Sequence, residues 1–227
     1  LSHLMGLRTF KFVTVKFRER DSTSLKADIF LTPLLKKSIR AQVQGVSKSN
    51  NFVGPGVELS FTNRNFLRGA ELFQFKLSGA YEVQISRQQA GALNAIELGA
   101  EASMSVPRFI TPFGIFRYRS AKYLPMTNYK LSYNLQQRLQ YFRLVSMNAA
   151  YGFLWRETTL KTHEYYPAEV SFIKLANTSE DFRKLLDQSP ALKNSFQNQF
   201  ILGSHYTFTL NTQMKEDIET KLDPRSR

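Results

Sequence analysis

The chain has 227 residues and a formal net charge of +13, from 31 Lys and Arg against 18 Asp and Glu. It contains no cysteine, which excludes disulfides and thiolate metal sites. No apolar run reaches about eighteen residues, which excludes a transmembrane helix. The basic residues are dispersed, with no Lys/Arg run longer than Lys36-Lys37, so they do not form the clustered patch expected of a nucleic-acid binder. The length holds one or two domains. An apolar content of 42% with negative mean hydropathy suits a chain in which half of every strand is polar.

The first segment reads as a small α+β module. Residues 1–6 form the end of a helix, with Gly6 as the stop. Residues 9–17, TFKFVTVKF, form a strand with apolar side chains on both parities. Residues 25–31 form a second strand, with Leu25, Ala27, Ile29 and Leu31 on one side. RERDST between them is a charged turn, and Pro33 ends the second strand because proline cannot donate to a ladder. The start, LSHLMGL, has no signal-peptide pattern, and the half-module is expected to complete a domain that begins upstream.

From Ser38 the pattern becomes repeated hairpins. Residues 38–45 set Ile39, Ala41 and Val43 against Arg40, Gln42 and Gln44, and reach Gly45. SKSNNFVGPG (47–56) is dense in turn formers. A strand at 57–62 follows, and NRNFLRGAE (63–71) turns the chain back. The long stretch 72–85, LFQFKLSGAYEVQI, puts Phe73, Phe75, Leu77, Gly79, Tyr81, Val83 and Ile85 on one face. Gln74, Lys76, Ser78, Ala80, Glu82 and Gln84 take the other. Residues 87–91 turn into a strand at 93–106, whose polar face carries Glu97 and Glu101 and which two prolines terminate. Residues 114–126 carry no readable pattern, and 136–143 read as a polar and aromatic turn. Further strands are expected at 129–135, 145–155, 168–175 and 200–210. Residues 179–186 predict a short helix with Ser179 as N-cap.

Eight hairpin-linked strands thus follow one small module. Strands of soluble domains run about five or six residues, whereas a tilted membrane strand needs about nine to eleven. Strand length, and tyrosine and tryptophan near strand ends, favour a lipid-facing wall around a polar lumen over a soluble sandwich. The expected fold class is all-β: a partial, antiparallel, up-and-down membrane β-barrel with a small α+β remnant at the N-terminus.

Catalytic and metal chemistry find little support. His3, His163 and His205 are far apart and share no ligand spacing. Ser204 and His205 are adjacent on a strand, so their side chains point to opposite faces. The glycines of GPG and RGAE read as turn glycines with no helix following, so no phosphate loop is implied. Arg117-Tyr118-Arg119 suits an interfacial belt better than RNA binding. Glu97, Glu101 and Glu82 are expected to form a lumen charge network with Arg40 and Lys76, since a polar barrel interior needs such pairs. No catalytic, cofactor-binding or metal-ligating residue is assigned, and no enzyme is expected.

Several segments resemble the Omp85 superfamily of outer-membrane assembly proteins, in the form found in Bacteroidetes. Residues 9–33 look like the end of the last POTRA domain. NNFVGPGVELSFTNRNFLRGAE (50–71) is similar to the first barrel hairpin and its periplasmic turn, and is the most specific segment. SMSVPRFITPF (103–113), residues 129–156 ending YGFLWR, and VSFIKL (170–175) are also similar. The resemblance implies three parts. Residues 1–34 are the C-terminal part of a POTRA-like periplasmic domain, 35–212 are the N-terminal half of an outer-membrane barrel, and 213–227 are a charged tail. The superfamily's arginine motif belongs to the C-terminal half of its barrel, and nothing here matches it, so a fragment is implied.

The implied function is insertion, assembly or translocation of outer-membrane proteins, by a central insertase of the BAM type or a TamA-like relative. Its partners would be outer-membrane lipids, nascent outer-membrane proteins, accessory lipoproteins or a periplasmic TamB-like protein, and no nucleic acid. The implied location is the bacterial outer membrane, with the N-terminal part in the periplasm. Ile39, Arg40, Ala41, Gln42, Val43, Gln44 and Gly45 would form the lateral-gate edge, held weakly because the strand is short and contains a glycine. Asn63, Arg64, Asn65, Phe66, Leu67, Arg68, Gly69, Ala70 and Glu71 would form the periplasmic turn. A ligand-binding or transport barrel and an outer-membrane hydrolase remain as alternatives.

Overall fold

The computed structural model describes residues 2–21, 24–49, 51–84, 94–111, 123–138, 141–189 and 196–212. The expected turn at 87–91, most of the unreadable stretch 114–126 and the tail 213–227 lie outside the described residues, as does Ile85. Helix α1 (Ser2–Gly6) leads into β1 (Phe10–Asp21), which pairs antiparallel with β2 (Ser24–Pro33) in a two-stranded sheet. Arg18 Nε lies 3.2 Å from Asp28 Oδ2 and Lys26 Nζ 3.6 Å from Asp28 Oδ1, so charge pairing braces the hairpin. The expected RERDST turn is corrected here: Arg18 to Asp21 continue β1 and pair with Ser24 to Lys26 of β2. The Leu34 N–H donates to the Thr9 carbonyl at 2.8 Å, which sets where the chain leaves the module.

The next eight strands form one antiparallel sheet in which spatial order equals chain order. They are β3 (Lys37–Ser47), β4 (Phe52–Asn63), β5 (Leu72–Gln84), β6 (Asn94–Val106), β7 (Met126–Arg138), β8 (Phe142–Arg156), β9 (Lys161–Ala176) and β10 (Gln199–Leu210). This is an up-and-down meander whose first and last strands, β3 and β10, remain unpaired on their outer sides among the described residues. The lengths, 11 to 16 residues, are about double those usual in soluble domains.

Register explains why the alternation holds. Ile39, Phe61, Phe75, Ala102, Leu131, Ala149, Val170 and Leu202 lie opposite one another in turn, one from each strand. The next apolar row is Ala41, Leu59, Leu77, Ala100, Tyr133, Met147, Phe172 and Phe200. Between them runs a polar row on the other face: Arg40, Ser60, Lys76, Glu101, Ser132, Asn148 and Ser171, ending in Ile201. A slip of one residue in any strand would send its apolar set to the polar face, so the pattern pins the register.

Aromatic side chains gather at the strand ends that carry the β4–β5 turn. Phe66 stacks on Phe73 at 4.6 Å, Tyr129 lies 5.3 Å from Tyr151, and Phe109 meets Phe153 at 5.1 Å. Trp155 stacks on His163 at 5.0 Å, and Phe208 lies 5.2 Å from the same imidazole. At the opposite end the aromatic cluster faces the polar side. There Phe142 meets Phe182 at 4.9 Å and Phe196 at 5.0 Å, and the Arg138 guanidinium lies 5.1 Å from the Phe52 ring. Phe182 belongs to α2 (Glu180–Gln188), whose N-cap is the expected Ser179, its hydroxyl accepting from the Phe182 N–H at 3.2 Å.

Four further expectations are corrected. GPG is not a turn: Gly54, Pro55 and Gly56 lie inside β4. A Cβ on Gly54 would come 1.8 Å from the Tyr81 carbonyl oxygen, so this glycine serves a close approach of two backbones. β3 is not short, since its ladder with β4 runs unbroken over 11 residues. Residues 136–138 and 142–143 extend β7 and β8 where a turn was expected. β9 begins at Lys161, well before residue 168, with a bulge opposite Tyr151 and Phe153 that moves Tyr165 onto the apolar row and Tyr166 onto the polar face.

Candidate functional site

The edge strand β3 is, like the other edge β10, exposed almost throughout. Every residue from Lys37 to Gly45 is exposed, Ile39 by 72% and Val43 by 79%. A Cβ on Gly45 would meet nothing within 4 Å. Its inner side is fully paired, Ile39 to Phe61 through Gly45 to Pro55, so its outer main-chain groups face no strand among the described residues. Exposed strand edges are usually blunted by a proline, a bulge or great shortness. β3 has no proline and no register shift, and carries only Lys37 and Arg40 as charges. The other edge, β10, is exposed from Phe200 onward, with Phe200 and Leu202 each 68% exposed.

The start of β3 is anchored to the 63–71 turn. The Arg64 N–H donates to the Lys36 carbonyl at 2.8 Å, and Arg64 Nη1 donates to the Leu35 carbonyl at 3.2 Å. The turn itself is organised by Glu71, which is only 6% exposed. Its Oε2 accepts from the Gly69 N–H at 2.9 Å and the Leu67 N–H at 3.2 Å, while its carbonyl accepts from the Phe66 N–H at 3.1 Å. Asn65 Oδ1 accepts from the Ala70 N–H at 3.0 Å, and Asn63 Oδ1 from the Asn65 N–H at 3.2 Å. Arg68 and Ala70 sit at φ of 69° and 61°, a left-handed conformation that costs energy without such bonds. Burial pushes the Glu71 carboxyl up, but the N–H groups of Glu71, Gly69 and Leu67 and the Arg108 charge outweigh it and hold it below 4.5.

The far end of the β3–β4 hairpin is held by a second polar staple. Lys48 Nζ lies 2.8 Å from Glu82 Oε1 and donates to Glu97 Oε1 at 2.5 Å. Gln136 Nε2 donates to the same Glu97 oxygen at 3.0 Å. Glu82 is 1% exposed, and its Oε1 has the ion pair without a hydrogen bond of good angle. Burial disfavours the Lys48 charge, but hydrogen bonds and attraction from both carboxylates outweigh it and raise its pKa above 10.5. One lysine at the hairpin tip therefore ties together residues of β5, β6 and, through Gln136, β7.

The expected charge network is divided by this geometry. Glu82 and Glu97 meet at Lys48, a residue the sequence reading left inside a turn. Lys76 and Glu101 are direct cross-strand partners, with Arg40 further along the same row. Tyr166 also went unread. Its ring is 2% exposed, stacks on His205 at 4.7 Å and lies flat against Gly152. His205 Nδ1 is 3.0 Å from Glu169 Oε2, and His163 Nδ1 is 2.7 Å from the Tyr206 hydroxyl. Among the described residues no three His, Asp or Glu side chains converge as a metal site, and no helix is long and apolar enough to cross a membrane. Comparison of the chain with protein-family models, curated proteins and solved structures gives no match.

Proposed function

We propose that the eight-stranded sheet is part of the wall of an outer-membrane β-barrel of the Omp85 type, and that β3 is its working edge. In this reading the chain assists the insertion of nascent outer-membrane proteins. An extended substrate strand pairs with the outer side of β3, gaining main-chain hydrogen bonds, and passes from there into the membrane. The reaction is strand addition, with no covalent step. The α1–β1–β2 module lies in the periplasm, and Arg64 of the 63–71 turn holds the 35–36 connection that leads from it to the wall.

The observation that carries the proposal is the open 11-residue edge, exposed from Lys37 to Gly45 and without proline or bulge, beside a fully formed ladder. A bilayer context is supported by the continuous apolar rows on one face, the charged and amide rows on the other, and the aromatic cluster at the strand ends. The lack of cysteine makes the test clean. Gln42→Cys on the edge and Ser78→Cys inside the sheet are each labelled with a short crosslinker while a nascent barrel protein inserts into vesicles. Crosslinks at Gln42→Cys with none at Ser78→Cys are expected. Val43→Pro, which removes one ladder donor, should slow insertion without loss of the sheet. Insertion at the parent rate by folded Val43→Pro would end the edge-templating proposal.

A further inference from the structure

The apolar face of the sheet is not evenly filled. Where β6, β8 and β9 carry Ala102, Ala149 and Ala168, the small side chains leave an open groove of about 480 Å³. That volume falls within the range of small-ligand sites, about 300–1,000 Å³. Phe73, Tyr129 and Tyr151 wall it, and Phe66 of the 63–71 turn folds over one end. The Tyr151 hydroxyl donates to the Ile110 carbonyl, which fixes that wall.

The same end is rimmed by cations. Arg108 is exposed, and its charge acts on both the Glu71 carboxylate and the Tyr129 phenol. Arg68 is exposed beside Leu67, itself 63% exposed. Arg64 of the same turn donates to the Leu35 carbonyl, so Arg68 and Arg108 are the exposed cations here, against the single buried carboxylate of Glu71, and this rim is net positive. Apolar groove, exposed aliphatic and aromatic side chains at its mouth, and a cationic rim together fit one occupant: an amphiphile with a hydrocarbon chain and an anionic head. The geometry points to a phospholipid site, in which an acyl chain lies over Ala102, Ala149 and Ala168 and the anionic headgroup meets Arg68 and Arg108. This inference rests on the membrane-wall reading above.

The probe is phosphatidylglycerol with a photoactivatable diazirine in its acyl chain, diluted into phosphatidylcholine vesicles that carry the full chain. Flotation is read first, and a chain that does not float with vesicles overturns the membrane-wall reading and this site with it. On floated protein, crosslinks mapped by mass spectrometry are expected to be enriched severalfold on the segments holding Ala102, Tyr129 and Ala149 over Val57 and Leu59 of the same apolar face. Ala149→Phe, which fills the groove floor, should abolish that enrichment. The exposed pair Arg68→Gln and Arg108→Gln should remove the preference for labelled phosphatidylglycerol over equally labelled phosphatidylcholine, with flotation unchanged. Even labelling across the apolar face, with no response to either variant, means lipid merely surrounds the wall. That result overturns the site and leaves the membrane-wall reading standing.

Discussion

Gly152→Ala offers the sharpest test of how the sheet bends at β9. A Cβ at this position would lie 2.5 Å from Tyr166 Cδ1 and 2.7 Å from its Cε1 and Cγ. The ring has nowhere to retreat: it is 2% exposed, with His205 stacked at 4.7 Å and Lys130 Nζ 4.9 Å from its centroid. Overpacking of this kind costs about 1–3 kcal/mol, while replacing a strand glycine by alanine returns about 0.5–1 kcal/mol. The net expectation is a loss of about 1–2 kcal/mol, near the middle of those bounds. In a Tyr166→Ala background the collision partner is gone and only the backbone gain remains. The same Gly152→Ala change should then stabilise by about 0.5–1 kcal/mol. The assay is chemical unfolding in detergent micelles, read by fluorescence of the sole tryptophan, Trp155, which stacks on His163. A change of the same sign and size in both backgrounds would refute the claim that Gly152 exists to seat Tyr166.

The two polar staples carry pH and mutational predictions. The Glu71 carboxyl is held below its ordinary value, so its stabilisation is complete above pH 4.5 and is lost as pH falls through the lower folded value. Glu71→Gln weakens the charge-assisted bonds to Leu67 and Gly69, so unfolding midpoints should drop by the equivalent of about 1.5–3 kcal/mol at neutral pH and lose most of the acid sensitivity. An unchanged acid limb in that variant would show that other carboxyls dominate. Lys48→Met strands the buried Glu82 charge; breaking a buried pair costs about 3–5 kcal/mol, which the partial exposure of Lys48 reduces to about 1–3 kcal/mol. Adding Glu82→Gln to Lys48→Met should recover much of that loss in the same unfolding assay. Because the Lys48 pKa is raised, the parent's advantage persists through pH 10.5 and fades only above it.

Much of the fold was legible because strand alternation is local information. Phe73 to Val83 against Gln74 to Gln84 needs only the period of two, and β5 carries that pattern from Leu72 to Gln84. The Ser179 cap was legible for the same reason, since a cap and its first turn span four residues. GPG misled because the turn propensity of glycine and proline says nothing about a second backbone, and the Tyr81 carbonyl that requires Gly54 lies on another strand. β9 was read too short because Pro167 and a parity change interrupt its alternation where the bulge sits, so Tyr165 and Tyr166 are out of step with Val170 and Phe172. Lys48 was missed for a different reason. Its partner Glu97 is 49 residues away, and only the β4, β5 and β6 registers together bring the two ends of that separation side by side.

The two free edges are chemically unlike, and the rows show why that matters for strand addition. One polar row runs from Arg40 on β3 to Ile201 on β10, and the next runs from Gln42 to Gln199. At β3 a newcomer meets alternation it can match: Ile39, Ala41 and Val43 on the apolar side, Arg40, Gln42 and Gln44 on the polar side. Any barrel strand has that alternation, so under the proposed function β3 would select for the class of substrate without reading a particular sequence. At β10 a newcomer meets bulkier side chains, Phe200, Leu202, Tyr206 and Phe208, on one face, and Gln199, Ile201, His205 and Thr207 on the other. The bulk of that apolar side makes this edge the more costly one to leave in water. The asymmetry therefore assigns different work to the two edges within the proposed barrel. In that proposal β10 is the edge to be covered, β3 is the edge that pairs and releases a substrate strand, and the Lys48 and Glu71 staples hold its hairpin in shape at both ends.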